Sequence, residues 1–421
     1  MIAEALILSS ILTGTLYYRL SKNSKEKKDI IRKWNNLMRN LEKTEENEEK
    51  YKIENVVLLE NKLIFDVKIA SGKSFSSLLT KRNEIENAFK GICILEQIKF
   101  SNRAKVTIIT KNIMDFDFEP ISTKPSELYI GKKMSGENHI IDVTKACHIL
   151  IGGATGGGKS FLLAAILCNL IYNSSSEIEI HLLQIMKADL AIFENCKGVK
   201  FTATKLEEVV LDLEKIHKTL ISRNNILRET GCKNLEHYNK FNNKSKFKRI
   251  YLIVEEISFF MSTENDTEEV KVLKSKVWDC LKAIIISGRA PGIHVISVTQ
   301  RSTVSNLPSD LKSNMCRISL KQFSSIDSRN LIETDDAINL GDKECICYAD
   351  GNFQQIIKIP NVDEDFKILH HYVQEIKLPG KRITKPKPEY KDNKNDIKID
   401  TTIPNKKERK RRKGVILDAN C

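Results

Sequence analysis

Proline and tryptophan are scarce in this chain, with nine and two residues among 421. Four of the nine prolines (Pro379, Pro386, Pro388 and Pro404) fall after residue 377. The body before them is therefore nearly free of the residue that most strongly interrupts helices and central strands. The ten cysteines lack paired spacing, which excludes a disulfide-stapled scaffold and a zinc-ribbon pattern, so they read as reduced thiols. No internal repeat is present, which excludes solenoids and propellers. Long apolar runs are also missing, with one near exception at the N-terminus. The whole chain, 41% hydrophobic and 29% charged, has a globular composition and is long enough for two or three domains.

Glycine is sparse as well, yet four of the 18 glycines fall within residues 153–158. The stretch Gly153-Ala154-Thr155-Gly156-Gly157-Gly158-Lys159-Ser160 fits Gly, four residues, Gly-Lys-Ser/Thr. An apolar run, His148 to Ile151, reads as a buried strand entering it, and Phe161 to Ile171 reads as the helix leaving it. Such a loop turns successive N–H groups toward phosphate oxygens, and the helix adds its positive end. The expectation is a nucleotide cradle of residues 153–161. Lys159 would reach the β- and γ-phosphates and the Ser160 hydroxyl would ligand Mg²⁺.

A second apolar strand, Tyr251 to Val254, ends in Glu255-Glu256. Paired carboxylates at the C-terminal end of a buried strand sit where open α/β sheets place their ligand crevice. Glu255 is assigned to the metal and Glu256 to polarising the attacking water. A third strand, Val295 to Val298, leads to Thr299-Gln300-Arg301, and Gln300 at its tip could sense the γ-phosphate. Arg289, at a helix end before that strand, could face a neighbouring subunit.

Along the chain, Ile2 to Tyr18 is uncharged except for Glu4 and is followed by Arg19, Lys22, Lys25, Lys27 and Lys28. Residues 1–19 therefore read as a membrane anchor with the remainder of the chain cytoplasmic. The alternative is an amphipathic or buried helix. Residues 20–50 read as a charged helical stalk, and residues 51–120 as a small α/β domain. Residues 121–376 alternate strands (148–151, 180–185, 250–254, 293–298, 316–320 and 345–348) with helices. That alternation implies α/β architecture, a mostly parallel sheet flanked by helices. Residues 377–421 hold fifteen Lys/Arg against six Asp/Glu, so nine of the thirteen net positive charges sit there. This tail reads as disordered, and its charge suits nucleic acid or anionic lipid as well as simple solvation.

Several motifs in order resemble the motor of FtsK/SpoIIIE DNA translocases. They are Gly231 to Leu235 with Tyr238-Asn239, then Gly288-Arg289-Ala290-Pro291-Gly292-Ile293-His294, Thr299-Gln300-Arg301, and Ser324-Ser325-Ile326-Asp327-Ser328-Arg329. Residues 51–115 resemble the family's smaller α/β domain. The resemblance implies a RecA-like P-loop core, a homo-hexameric ring around double-stranded DNA, and ATP with Mg²⁺ bound between subunits. It also implies that Arg289 acts as a trans-acting finger, with Arg329 as a second candidate.

Departures shape the expected biology. Glu255 stands where the family usually has Asp. Gln184-Ile185-Met186-Lys187 replaces an Asp-Pro-Lys, and neither a winged-helix module nor a four-helix membrane domain is recognisable. The chain is therefore similar to the coupling ATPases of Gram-positive conjugative elements, whose partners are relaxase and transfer-channel proteins. A cell-division or sporulation translocase, a type VII secretion motor and a non-hydrolysing scaffold are the alternatives. The intact Lys159, Glu256 and Gln300 weigh against the scaffold.

Overall fold

The computed structural model describes residues 24–41, 51–59, 61–110, 114–185, 188–300, 312–348 and 355–380. The expected anchor at 1–19, Lys187, Arg301 and the tail from 381 onward lie outside these residues. No helix among the described residues is long and apolar enough to cross a membrane.

The first body holds α1 (24–41), β1 (Lys52–Leu58), β2 (Lys62–Lys68), α2 (Phe75–Leu79), α3 (Arg82–Phe89), β3 (Ile92–Gln97) and β4 (Arg103–Ile109). Its four strands form an antiparallel sheet in the order β1-β2-β4-β3. Here the stalk expectation is corrected, because α1 is part of the core. Ile30, Ile31, Trp34, Leu37, Met38 and Leu41 lie one to four residues apart on one helical face and pack on the sheet. Trp34 is fully buried, its ring edge meets Phe65 at 5.1 Å, and its Nε1 donates to the Tyr51 carbonyl at 2.7 Å. Residues 75–89 form two helices. Ser74 caps the first with its side chain, and the break falls at Thr80-Lys81.

The second body holds β5 (Glu127–Lys133), β6 (Asn138–Asp142), α4 (Val143–Ala146), β7 (His148–Gly152), α5 (Lys159–Ser174) and β8 (Ile178–Leu183). It continues with β9 (Val199–Ala203), α6 (Leu206–Glu229), α7 (Leu235–Phe241), β10 (Arg249–Val254), α8 (Glu268–Ser287) and β11 (Ile293–Thr299). It closes with β12 (Met315–Leu320), α9 (Ser325–Ile332), β13 (Glu344–Tyr348), β14 (Gln355–Lys358) and α10 (Lys367–Tyr372).

Ten strands form one sheet in the order β6-β5-β14-β13-β12-β7-β11-β10-β8-β9. The six from β12 to β9 are parallel, and the other four extend the sheet antiparallel from β12. Strands β7, β10 and β11 are buried along their whole length, which is why apolar residues predominate in them. Alternation sends Ile149, Ile151, Tyr251 and Ile253 to the face that packs α5 and α10. Leu150, Ile250, Leu252 and Val254 go to the face that packs α6, α8 and α9.

Residues 115–118, grouped with the small domain by a boundary at 120, pair instead with the large sheet. Phe118 is buried in its core and donates its N–H to the Asn361 carbonyl (2.9 Å), and Asp115 pairs with Lys358 at 3.0 Å. The nine described cysteines form no disulfide.

Candidate nucleotide site

Strand β7 delivers residues 153–158 to the C-terminal edge of the parallel sheet, and α5 leads away from it. Gly156 (φ +77°) and Gly158 (φ +90°) take left-handed backbone, where a side chain would be strained, so the loop can curl. It is tethered on one side by the Ala154 N–H, which donates to the Lys321 carbonyl just beyond β12 (3.0 Å). Helices α7, α8 and α9 are capped by the side chains of Asn234, Thr267 and Ser324. No side chain caps α5. Its first N–H groups therefore face the loop, which is the arrangement that holds an anion. Buried Lys159 donates from Nζ to the carbonyls of Gly153 and Ala154, both at 2.7 Å. Thr155, Gly156, Gly158, Lys159, Ser160, Phe161, Asp189 and Gln300 line a cavity of about 360 Å³.

Sheet order explains how distant residues meet there. Strand β11 lies between β7 and β10, so its tip falls between the cradle and the carboxylate strand. Gln300 follows that tip directly and is exposed to the cavity. Glu255, at the end of β10, is buried, and its N–H donates to the Leu183 carbonyl of β8 (3.3 Å). Glu256 is the next residue and accepts a hydrogen bond from the Ser258 hydroxyl at 2.5 Å, but it does not line the cavity. A residue the sequence reading missed joins the two strand systems. Asp189 Oδ2 accepts from the Ser160 hydroxyl (2.7 Å), and its backbone N–H donates to Glu255 Oε1 (3.2 Å). A hydroxyl and carboxylates are hard oxygen donors, the set that suits Mg²⁺.

Arg289 is at the opposite, N-terminal edge of the sheet. A strand of five to seven residues separates the two edges, a span of roughly 20 Å. Its Nε donates to the Thr144 carbonyl (2.7 Å). The loop carrying it is firmly held: Leu235 N–H donates to the Ala290 carbonyl (2.8 Å) and buried Arg223 donates to the Pro291 carbonyl (3.0 Å). A Cβ on Gly292 (φ +72°) would meet Leu235, so the segments 231–239 and 288–294 interlock. Beside Arg289 lies a cleft of about 680 Å³ whose lining includes Lys145, Lys312, Arg317, Arg329 and Glu333. Burial, and then the neighbouring Arg317, holds the Lys312 ammonium below its ordinary range. Arg329 makes a two-bond pair with Asp335, both at 2.7 Å.

The cradle, the carboxylate strand and the interlocked Gly288–His294 loop coincide with one family match, FtsK/SpoIIIE family, over residues 119–309. This segment is an FtsK/SpoIIIE domain. The chain is 25% identical over 249 residues to DNA translocase FtsK of Helicobacter pylori, covering 58% of this chain and 28% of that protein. It is 27% identical over 263 residues to DNA translocase FtsK of Clostridium tetani, covering 60% and 34%. It thus spans about a third or less of these two relatives. Among solved structures, the pCW3 conjugation coupling protein TcpA, in monomer form with ATPgS, superposes with a TM-score of 0.58 at 18% identity. That match covers 80% of this chain and 96% of TcpA and speaks to the fold.

Within the FtsK/SpoIIIE domain, sequence reasoning named the cradle, Glu255, Glu256, Gln300 and Arg289 as candidates. It named Arg329, which shares a cleft with Arg289, but did not name Asp189, Lys145, Lys312 or Arg317. A usable signal for Asp189 existed: an acid shortly after β8, the strand beside the carboxylate strand, lies at the ligand-binding edge of the sheet.

Proposed function

We propose that this chain is an ATP-hydrolysing DNA translocase, the coupling motor that feeds DNA to a transfer channel in conjugation. The observation that carries the reading is the division of the candidate site between two edges of one sheet. Lys159, Ser160 and Gln300 line the cradle at one edge, and Arg289 stands about a strand's length away at the other. One molecule cannot bring both to the same phosphate. A second copy docked head to tail would, and such a heterologous contact closes into a ring when the rotation allows.

In that assembly the uncapped end of α5 and Lys159 bind the triphosphate. Ser160 and Glu255 would hold Mg²⁺, which when bound neutralises phosphate charge. Glu256 orients the attacking water, and Gln300 senses the γ-phosphate. Arg289 of the neighbouring copy meets charge developing on the transferred group, a contribution of roughly a thousand-fold or more in rate.

Double-stranded DNA is the proposed cargo, on the strength of the family domain and of the basic tail. The conjugative role is carried over from TcpA, with which the chain shares architecture over nearly that protein's whole length. The proposed partners are accordingly a relaxase and channel proteins, and residues 1–19 are proposed as the membrane anchor. ATPase rate measured with and without double-stranded DNA tests the motor reading: stimulation supports it, and an unchanged rate contradicts it. Fractionating cells that express the chain with and without residues 1–19 tests the anchor, which fails if the intact chain is already in the soluble fraction.

A further inference from the structure

Ser160 and Glu255 come from different elements, the start of α5 and the end of β10, yet Asp189 touches both. Its carboxylate accepts a hydrogen bond from the Ser160 hydroxyl at 2.7 Å, and its N–H donates to Glu255 Oε1 at 3.2 Å. It also lines the cradle cavity. The turn that follows fixes its backbone: Ala191 N–H donates to the Ala188 carbonyl (3.0 Å), and Leu190 and Phe193 are buried in the core.

A hydroxyl has one proton and two lone pairs. To give a lone pair to a cation, Ser160 must send its proton elsewhere, and an ionised carboxylate is the strongest nearby acceptor. Glu255 also has one more rotatable bond than an aspartate would have. The Asp189 N–H restrains that extra freedom.

We propose that Asp189 is a positioning residue for the divalent cation bound with the triphosphate. It accepts the Ser160 O–H, leaves the hydroxyl lone pairs for the cation, and anchors Glu255 through its backbone N–H. The proposal rests on the reading of the cradle as a Mg²⁺-nucleotide site, and its test separates the two.

Binding of a fluorescent ATP analogue to the full chain is titrated with Mg²⁺, and separately measured in EDTA. Asp189→Ala raises the Mg²⁺ needed for half-maximal tightening about tenfold, which is 1.4 kcal/mol, and leaves affinity in EDTA within about twofold. Asp189→Asn, whose amide oxygen still accepts from Ser160, shows a smaller rise. In a Ser160→Ala background, Asp189→Ala adds little, because the proton it would accept is gone. Mn²⁺ binding read by electron paramagnetic resonance weakens in the same order. An unchanged Mg²⁺ requirement in Asp189→Ala overturns the proposal, as does an equal loss with and without Mg²⁺, which marks a merely structural role. If wild type and Lys159→Ala bind the analogue equally, the nucleotide reading itself fails instead.

Discussion

Lys159 folds its ammonium onto two carbonyls of its own loop, where it is buried and ready to exchange those acceptors for phosphate oxygens. Lys159→Ala should therefore weaken ATP binding by a hundred-fold or so (about 3 kcal/mol), measured by calorimetry, with the fold intact. Glu256→Gln should keep binding but trap ATP, seen as retained radiolabelled nucleotide without product; wild-type turnover would remove its assigned role. These residues were legible because a phosphate loop is a local pattern. The position of Asp189 after β8 was a usable signal, but its contact with Ser160 was not legible, since that spans 29 positions and exists only once β8 and β7 are in one sheet. His148 makes a prediction of another kind. It is fully buried, its Nδ1 accepts from the Val295 N–H (3.0 Å), and burial pushes its pKa down to about 4. The unfolded chain binds that proton near pH 6.5 and the folded chain does not, so the neutral form stabilises the fold above pH 6.5. That stability is lost as pH falls from 6.5 toward 4, on the order of 3 kcal/mol. Buried His294, also pushed down, acts with the same sign. Urea unfolding at pH 7 and pH 4.5 should show the loss, and His148→Asn should shrink it.

At the scale of elements, the six apolar strand segments were readable because β7, β8, β10 to β13 lie in the buried middle of the sheet. Strands β5, β6 and β14 were not, and neither was β9. Glu-Leu-Tyr-Ile-Gly-Lys-Lys in β5 mixes charge with apolar residues because it pairs toward the sheet's edge, with β6 outside it. The helix α1 was misread for a related reason. Its sequence is so rich in Lys, Arg and Asn that the face carrying Ile30, Trp34, Leu37, Met38 and Leu41 is hard to see until helical spacing is imposed. Because that face packs on the first body, Trp34→Ala should cost about 3–5 kcal/mol of stability in that body. Thermal unfolding followed by Trp-independent circular dichroism would show it; an unchanged midpoint would mean that α1 is the exposed stalk the charge suggested.

For the whole molecule, the separation of the cradle from Arg289 by the length of the sheet gives the account its shape. Lys145, Lys312, Arg317 and Arg329 share a cleft with Arg289, and Arg317 and Arg329 are paired with Glu333 and Asp335. ATPase activity per molecule should rise with protein concentration, and DNA stimulation should fall steeply with salt as phosphate contacts release counterions. A dilution series and a salt series check the two. The two edges follow from local order, because in a parallel sheet residues before a strand and residues after it lie at opposite edges; which strand tips flank the cradle depends on strand order, which no local pattern reveals.

The most direct test mixes two inactive variants, Lys159→Ala and Arg289→Ala, and measures ATPase rate with double-stranded DNA. If each site is shared between copies, the mixture regains activity, up to about a quarter of wild type, since one interface in four joins an intact cradle to an intact arginine. If the mixture stays as inactive as either variant alone, the site is not shared and the central claim is wrong.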